Sequence, residues 1–274
     1  MSPRWSLSSL SYRVLGLATV IFLLSPLVIV VWLSFGSSPY MAKPSLDFSL
    51  RWYEEIFTAS RWTGPFQHSL IIAAGSSVLS LLLATPAALG LAKAQGRRAV
   101  GLNFGVMVPF FMPGLILAVG LLMFASRIGL SGTFPGIMIA HSLWGTPIAY
   151  LAIRAVYAGT DTAAEEAARV LGAGPLRTFF LVTLPSILPG VAAGALFAFV
   201  ISFNEFMMSL FLTAPRTVTL PVVIWTSLRY EVSPAVAAIA SVFIGISVIA
   251  VIIGLRLVGT RGLLQLTAAD AVKK

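Results

Sequence analysis

The chain has 274 residues, 58% of them hydrophobic and only 10% charged, with a mean hydropathy of +0.96. A soluble domain carries about 25% charged residues, so this surplus of apolar surface excludes an ordinary water-soluble core and makes lipid the solvent. The absence of cysteine excludes a disulfide framework and a thiolate metal site, and the net charge of +9 is spread over short loops, which speaks for membrane topology rather than nucleic acid.

Residues 14–34 follow Arg4 and Arg13 and form an apolar run of 21 residues, roughly 30 Å long as a helix and enough to cross a bilayer core. The run is too long for the apolar region of a cleaved signal peptide, and no small-x-small site follows, so it reads as an anchor. Segment 36–65 is polar, with Pro39, Pro44, Asp47, Glu54 and Glu55. Its aromatics Trp52, Tyr53 and Trp62 suit a membrane interface, which predicts an outer loop with a short interfacial helix.

Further spans are predicted at 67–93, 101–125, 134–156, 187–212 and 235–258. Pro86, Pro109, Pro113 and Pro147 fall inside them, as lipid helices allow when neighbours satisfy the freed carbonyl. The expected architecture is an all-α membrane protein with six transmembrane helices and one domain, 1–274, whose main polar connection is 157–186. Six spans place both termini and this loop on one side. Twelve of the eighteen Lys and Arg residues lie there, among them Lys93, Arg97, Arg98, Arg154, Arg169 and Arg177. That excess assigns the side to the cytoplasm.

None of the four lysines (Lys43, Lys93, Lys273, Lys274) stands in a GxxxxGK[ST] context, so the chain carries no P-loop. His68 and His141 are isolated, with no HExxH, which argues against a metal. No nucleophile–base or paired-carboxylate constellation suggests catalysis.

The loop from Asp161 to Pro185 reads DTAAEEAARVLGAGPLRTFFLVTLP. Thr162 and Glu165 fit a capping box, and strong helix formers run from Ala163 to Leu171. Glu165 and Arg169 stand four apart in the favourable order. Gly172 is a natural stop, where a residue without Cβ enters the left-handed region cheaply. Gly174-Pro175 then opens a second helical stretch that ends near Leu184-Pro185. On chemistry alone this helix–turn–helix either docks a partner or lies on the inner leaflet.

Glu205 falls inside the fifth span, on the order of 27 Å along it. With Ser202 and Ser209 it occupies one helical face, flanked by Phe199, Phe203 and Phe206. A carboxylate among aromatic rings suits an organic ammonium; the alternative is a hydrogen bond to a neighbouring helix. Asn204 points about 100° away. Gly190-x-x-x-Gly194 permits close helix packing. Arg229 and Glu231 lie in an outer segment, where they pair, contact a partner or are simply solvated.

Residues Glu166-Ala167-Ala168, Gly172, Val182 and Leu184-Pro185 resemble the EAA loop of the membrane subunits of binding-protein-dependent ABC importers, with Val182 where Ile is commoner. The stretches ISFNEFMMSLFLTAP and TLPVVIWTSLRYEVSPAVAAIAS are similar to the second membrane subunit of spermidine/putrescine-type importers, with Asn204 in place of the usual Asp. The resemblance implies the type I importer permease fold and a coupling helix near 163–171 seated on an ATPase. The coupling residues on that reading are Glu165, Glu166, Ala167, Ala168, Arg169, Gly172 and Pro185. The substrate pathway would be lined by Ser202, Phe203, Asn204, Glu205, Phe206 and Ser209.

The implied partners are a homologous sister permease forming a heterodimer, two ATPase subunits and an external solute-binding protein. The place is a bacterial inner membrane, and ATP and magnesium sit on the ATPase, with no cofactor or metal in this chain. The implied substrate is a polyamine or related organic cation. Iron, phosphonate, thiamine or an oxyanion on the same scaffold remains open, and a secondary transporter using Glu205 is the rival from another class.

Overall fold

The computed structural model describes residues 7–38, 47–94, 96–161, 163–230 and 233–258. Among these every regular element is helical, apart from one isolated antiparallel bridge between Gly36 and Phe48. Of the features expected above, the prolines and lysine of 39–46, Thr162 of the capping box, Glu231, Arg4 and the basic C-terminal tail lie outside the described residues.

In chain order the helices are α1 (Leu7–Leu33), α2 (Arg51–Thr58), α3 (Ser60–Ala92), α4 (Gly96–Phe111), α5 (Gly114–Arg127), α6 (Phe134–Tyr157), α7 (Ala163–Val170) and α8 (Pro175–Thr178). A π-helical turn, Phe179–Thr183, leads into α9 (Leu184–Phe203), followed by α10 (Met207–Leu212), α11 (Leu220–Tyr230) and α12 (Pro234–Val258). Among the described residues, five helical runs are long and apolar enough to cross a membrane: α1, α3, α6, the run from Pro175 to Phe203, and α12. A sixth exists if α4 and α5 count as one span.

The third predicted span is corrected here. It is not one straight helix over 101–125, because α4 and α5 meet at a bend of 97°. Pro113 explains the place: its ring disfavours helical backbone at Met112, and it serves as N-cap of α5 with ψ 127°. Pro86 and Pro147, by contrast, sit inside continuous helices. The predicted fifth span, 187–212, is also corrected. Its helix ends at Phe203 and resumes at Met207, so Asn204, Glu205 and Phe206 form a break.

The chain divides into two compact units, Met1–Thr63 with Ile224–Ile246, and Gly64–Val223 with Ser247–Lys274. In the first, the expected short helix in the polar segment is α2, tied to the end of α1. The Trp52 indole donates to the Gly36 carbonyl at 2.7 Å, and the Ser34 and Tyr53 hydroxyls share a bond of 2.7 Å. The side chains of α1 from Ser11 to Trp32 are exposed or half-exposed, an apolar surface suited to lipid or another subunit.

The second unit is built on the α6–α9 pair. Thr133 caps α6 by accepting from the Gly136 amide, with Pro135 in the first turn. Small residues let the two helices touch: a methyl group added at Gly194 would lie 3.1 Å from the Cα of Ala149, and one at Gly190 would lie 3.1 Å from the Ala152 carbonyl. Ile72, Leu117, Ile137, Met208 and Leu212 form one apolar cluster, and Ala84, Ala88, Tyr150, Ile153 and Ile187 another. Between these clusters along α3 and α6 lie the buried polar residues Ser76, Ser77, Ser80, His141 and Ser142.

Candidate functional site

Both ends of α7, in the loop after α6, are set by local hydrogen bonds. The Ala163 amide donates to the Asp161 carboxylate at 2.9 Å, which opens α7. At the far end the Ala173 amide reaches the Ala168 carbonyl and the Gly172 amide reaches the Arg169 carbonyl. That pair is a Schellman turn, and Gly172 supplies its left-handed residue at φ +85°. Gly174 and Pro175 then start α8.

Eight residues are too few for a stable free helix, so α7 must be held by the rest of the fold. Glu165 is the buried residue of α7, and its carboxylate is surrounded by three side chains from elsewhere in the second unit and by Arg169 of α7 itself. Lys93, just past the end of α3, places Nζ 2.8 Å from Oε2. Thr183, the last residue of the π turn, donates to Oε1 at 2.9 Å, and the Tyr157 hydroxyl, at the end of α6, lies 3.4 Å from the same oxygen. Arg169 stands 4.0 Å from Oε2, with its side chain 58% exposed, and is the weakest of the four.

Burial works to raise the carboxyl pKa. The hydrogen bonds from Lys93 and Thr183 and the Lys93 and Arg169 charges outweigh it and hold Glu165 below the ordinary carboxylate range. The Lys93 ammonium is correspondingly raised, first by its bond to Glu165 and then by Tyr157. A cleft of about 150 Å³ opens beside this group, lined among others by Lys93, Tyr157, Glu165, Arg169 and Thr183.

The outward side of α7 is different in kind. Glu166 and Ala167 are exposed, as are the apolar Val170, Leu171 and, on α8, Leu176.

The second candidate site is the break between α9 and α10. Glu205 is 4% exposed, so its carboxylate is not open to solvent in this chain. Its Oε1 accepts from the Met208 amide and its Oε2 from the Ser209 amide, both at 3.0 Å, so it caps the first turn of α10. His141 of α6 lies against it, with Nε2 3.4 Å from Oε2. The two ring nitrogens also meet the Ser202 hydroxyl at 2.8 Å and the Ser209 hydroxyl at 3.2 Å. Asn204 is exposed and turns to α12, donating to the Ser247 hydroxyl at 3.3 Å.

Residues 2–259 match the family described as binding-protein-dependent transport system inner membrane component. The chain belongs to this family. The putrescine transport system permease protein PotI of Escherichia coli (strain K12) is 31% identical over 231 residues, 82% of each chain. The spermidine/putrescine transport system permease protein PotC of the same strain is 27% identical over 239 residues, 86% of this chain and 90% of PotC. In fold the chain resembles one from the crystal structure of a bacterial ABC transporter involved in the import of the acidic polysaccharide alginate. The TM-score is 0.69 at 19% identity, covering 96% of this chain and 99% of that one. The chain is therefore an ABC importer permease subunit with the type I permease fold, and ATP hydrolysis falls to a separate subunit.

On this permease the expected coupling residues divide. Glu166, Ala167, Arg169 and Pro185 are exposed, Ala168 is half-buried, and Gly172 forms the turn. Glu165 faces inward, and its two oxygens are engaged by Lys93 and Thr183. Of the expected pathway residues, Ser202, Phe203, Glu205 and Ser209 are buried, and Phe203 stacks on Phe199 with centroids 5.7 Å apart. The shared face of one continuous helix does not exist, because the helix stops at Phe203. His141, read from sequence as isolated, joins this cluster. The sequence reading also passes over Lys93 and Thr183, for which the one available signal is a lone lysine at the end of an apolar span.

Proposed function

We propose that this permease supplies half of a gated path for a polyamine or similar organic cation in a binding-protein-dependent importer. The observation that carries the substrate class is the similarity to PotI and PotC along most of the chain. Glu205 lends it no independent support, since its carboxylate is occupied by two amides and His141. A secondary transporter working alone does not fit membership of a binding-protein-dependent family.

In this reading a sister permease completes the path and a pair of ATPase subunits lies on the cytoplasmic side with both termini. The exposed face of α7 seats on one ATPase, and Glu166, Ala167 and Val170 make the contact. Closure of the ATPases on ATP and magnesium moves α7 and turns the cavity outward, where the loaded binding protein delivers its solute. Hydrolysis resets it inward.

The test is ATP-dependent uptake of radiolabelled putrescine by proteoliposomes holding this chain, its co-purifying subunits and the binding protein. Uptake with stimulated hydrolysis supports the whole reading. Stimulated hydrolysis without putrescine uptake discards the substrate class and keeps the importer.

A further inference from the structure

The carboxylate of Glu165 is the point where three membrane helices meet the loop. Lys93 follows the last residue of α3, Tyr157 is the last residue of α6, and Thr183 immediately precedes α9. An ammonium at the C-terminal end of α3 is favourably placed with respect to that helix dipole, and its bond to a carboxylate is of the strong, charge-assisted kind. Thr183 reaches the same carboxylate from a π turn, a local widening that shifts the register of side chains.

The α6–α9 pair behind these residues is packed through Gly190 and Gly194 against Ala149 and Ala152, leaving little room for sliding. The rest of α7 is exposed or half-exposed. So α7 presents one side chain to the membrane helices and the remainder of its surface to whatever lies outside.

We propose that Glu165 is the positioning residue through which movement of α7 is delivered to α3, α6 and α9 as one body. This rests on reading α7 as the ATPase-contacting helix. Glu166 and its exposed neighbours make that contact, while Glu165 passes the displacement inward. Without the carboxylate, α7 keeps its Schellman turn and its outer face, so it still engages the ATPase but slips relative to the spans.

The chain has no cysteine, so reporters can be placed singly. Nitroxides on Ala164→Cys of α7 and Leu83→Cys of α3, both exposed positions, would give the α7–α3 distance. It is measured in the complete importer complex, with other reactive cysteines removed, without nucleotide and trapped with ATP, magnesium and vanadate. Crosslinking of Val170→Cys alone to the ATPase reports docking independently. In the parent chain the distance stays the same in both states. In Glu165→Gln, which keeps the side chain's shape, and in Lys93→Met, which changes a half-exposed residue, the crosslink persists and the distance shifts on trapping.

A constant distance in both variants with the crosslink intact overturns the role of Glu165 and leaves the coupling reading standing. A distance that shifts in the parent chain also overturns it. Absence of the crosslink in the parent chain overturns the coupling reading and this inference together.

Discussion

Gly194 of α9 rests on the backbone of Ala149 of α6, so closely that a methyl group there would lie 3.1 Å from the Ala149 Cα and 3.3 Å from its carbonyl oxygen. Backbone cannot rotate away as a side chain can. Gly194→Val should therefore destabilise the permease by about 1–3 kcal/mol through overpacking. The check is thermal unfolding followed by size-exclusion in detergent, with Gly16→Val, where the added group meets nothing within 4 Å, as the control that leaves the midpoint in place.

Gly172 poses the opposite case. Among the described residues, chain neighbours aside, no atom lies within 4 Å of an added Cβ, so the cost is confined to φ +85°. Asparagine tolerates that region and valine does not. Gly172→Asn should keep uptake close to the parent, while Gly172→Val should lower the uptake achieved per ATP hydrolysed with insertion unchanged. Equal coupling in both variants would remove the turn from the mechanism.

At the helix break, Glu205→Ala removes a cap whose loss costs about 0.5–2 kcal/mol by analogy with other N-terminal caps. It also leaves His141 buried without its carboxylate neighbour. The expected outcome is a lower unfolding midpoint for Glu205→Ala, partly recovered in Glu205→Gln, with the KM for putrescine uptake unchanged in the latter. A tenfold rise in KM for Glu205→Gln at parental stability would restore a direct part in cation binding.

The Glu165–Lys93 tether should be pH-limited at both ends. Glu165 titrates below its ordinary value, so its contribution is present above that value and lost as pH falls through the folded one. Lys93 titrates above its ordinary value, so its contribution is full below that value and lost as pH rises through the folded one. Solvent screening reduces the effect, because the Lys93 side chain is 52% exposed. A nitroxide at Val170 should be restrained across the interval between and loosen in acid and in alkali. Glu165→Gln should flatten the acid side.

What the sequence revealed depended on how local the cause was. The left-handed turn at Gly172 and the helix before it arise from neighbouring residues and are readable, while the spans are readable as apolar runs but not in their breaks at Pro113 and at Asn204–Phe206. Proline positions were readable but their effect was not: Pro86 and Pro147 are absorbed, while Pro113 turns the chain, a choice made by packing. Glu165 showed its neighbour Arg169 at four residues, yet its strong partners stand 72 and 18 residues away. His141 looks solitary in sequence because Ser202 and Ser209 meet it only where α9 and α10 pack on α6.

The π turn at Phe179–Thr183 has a consequence for how this chain tolerates length changes. A helix advances about 100° per residue, so removing one residue between Gly172 and Leu184, or adding one, would rotate α7 to a different bearing about the α9 axis. Thr183 and Glu165 would then no longer face each other. The segment behaves as a phase-setting joint: substitutions within it are negotiable, but its residue count is not.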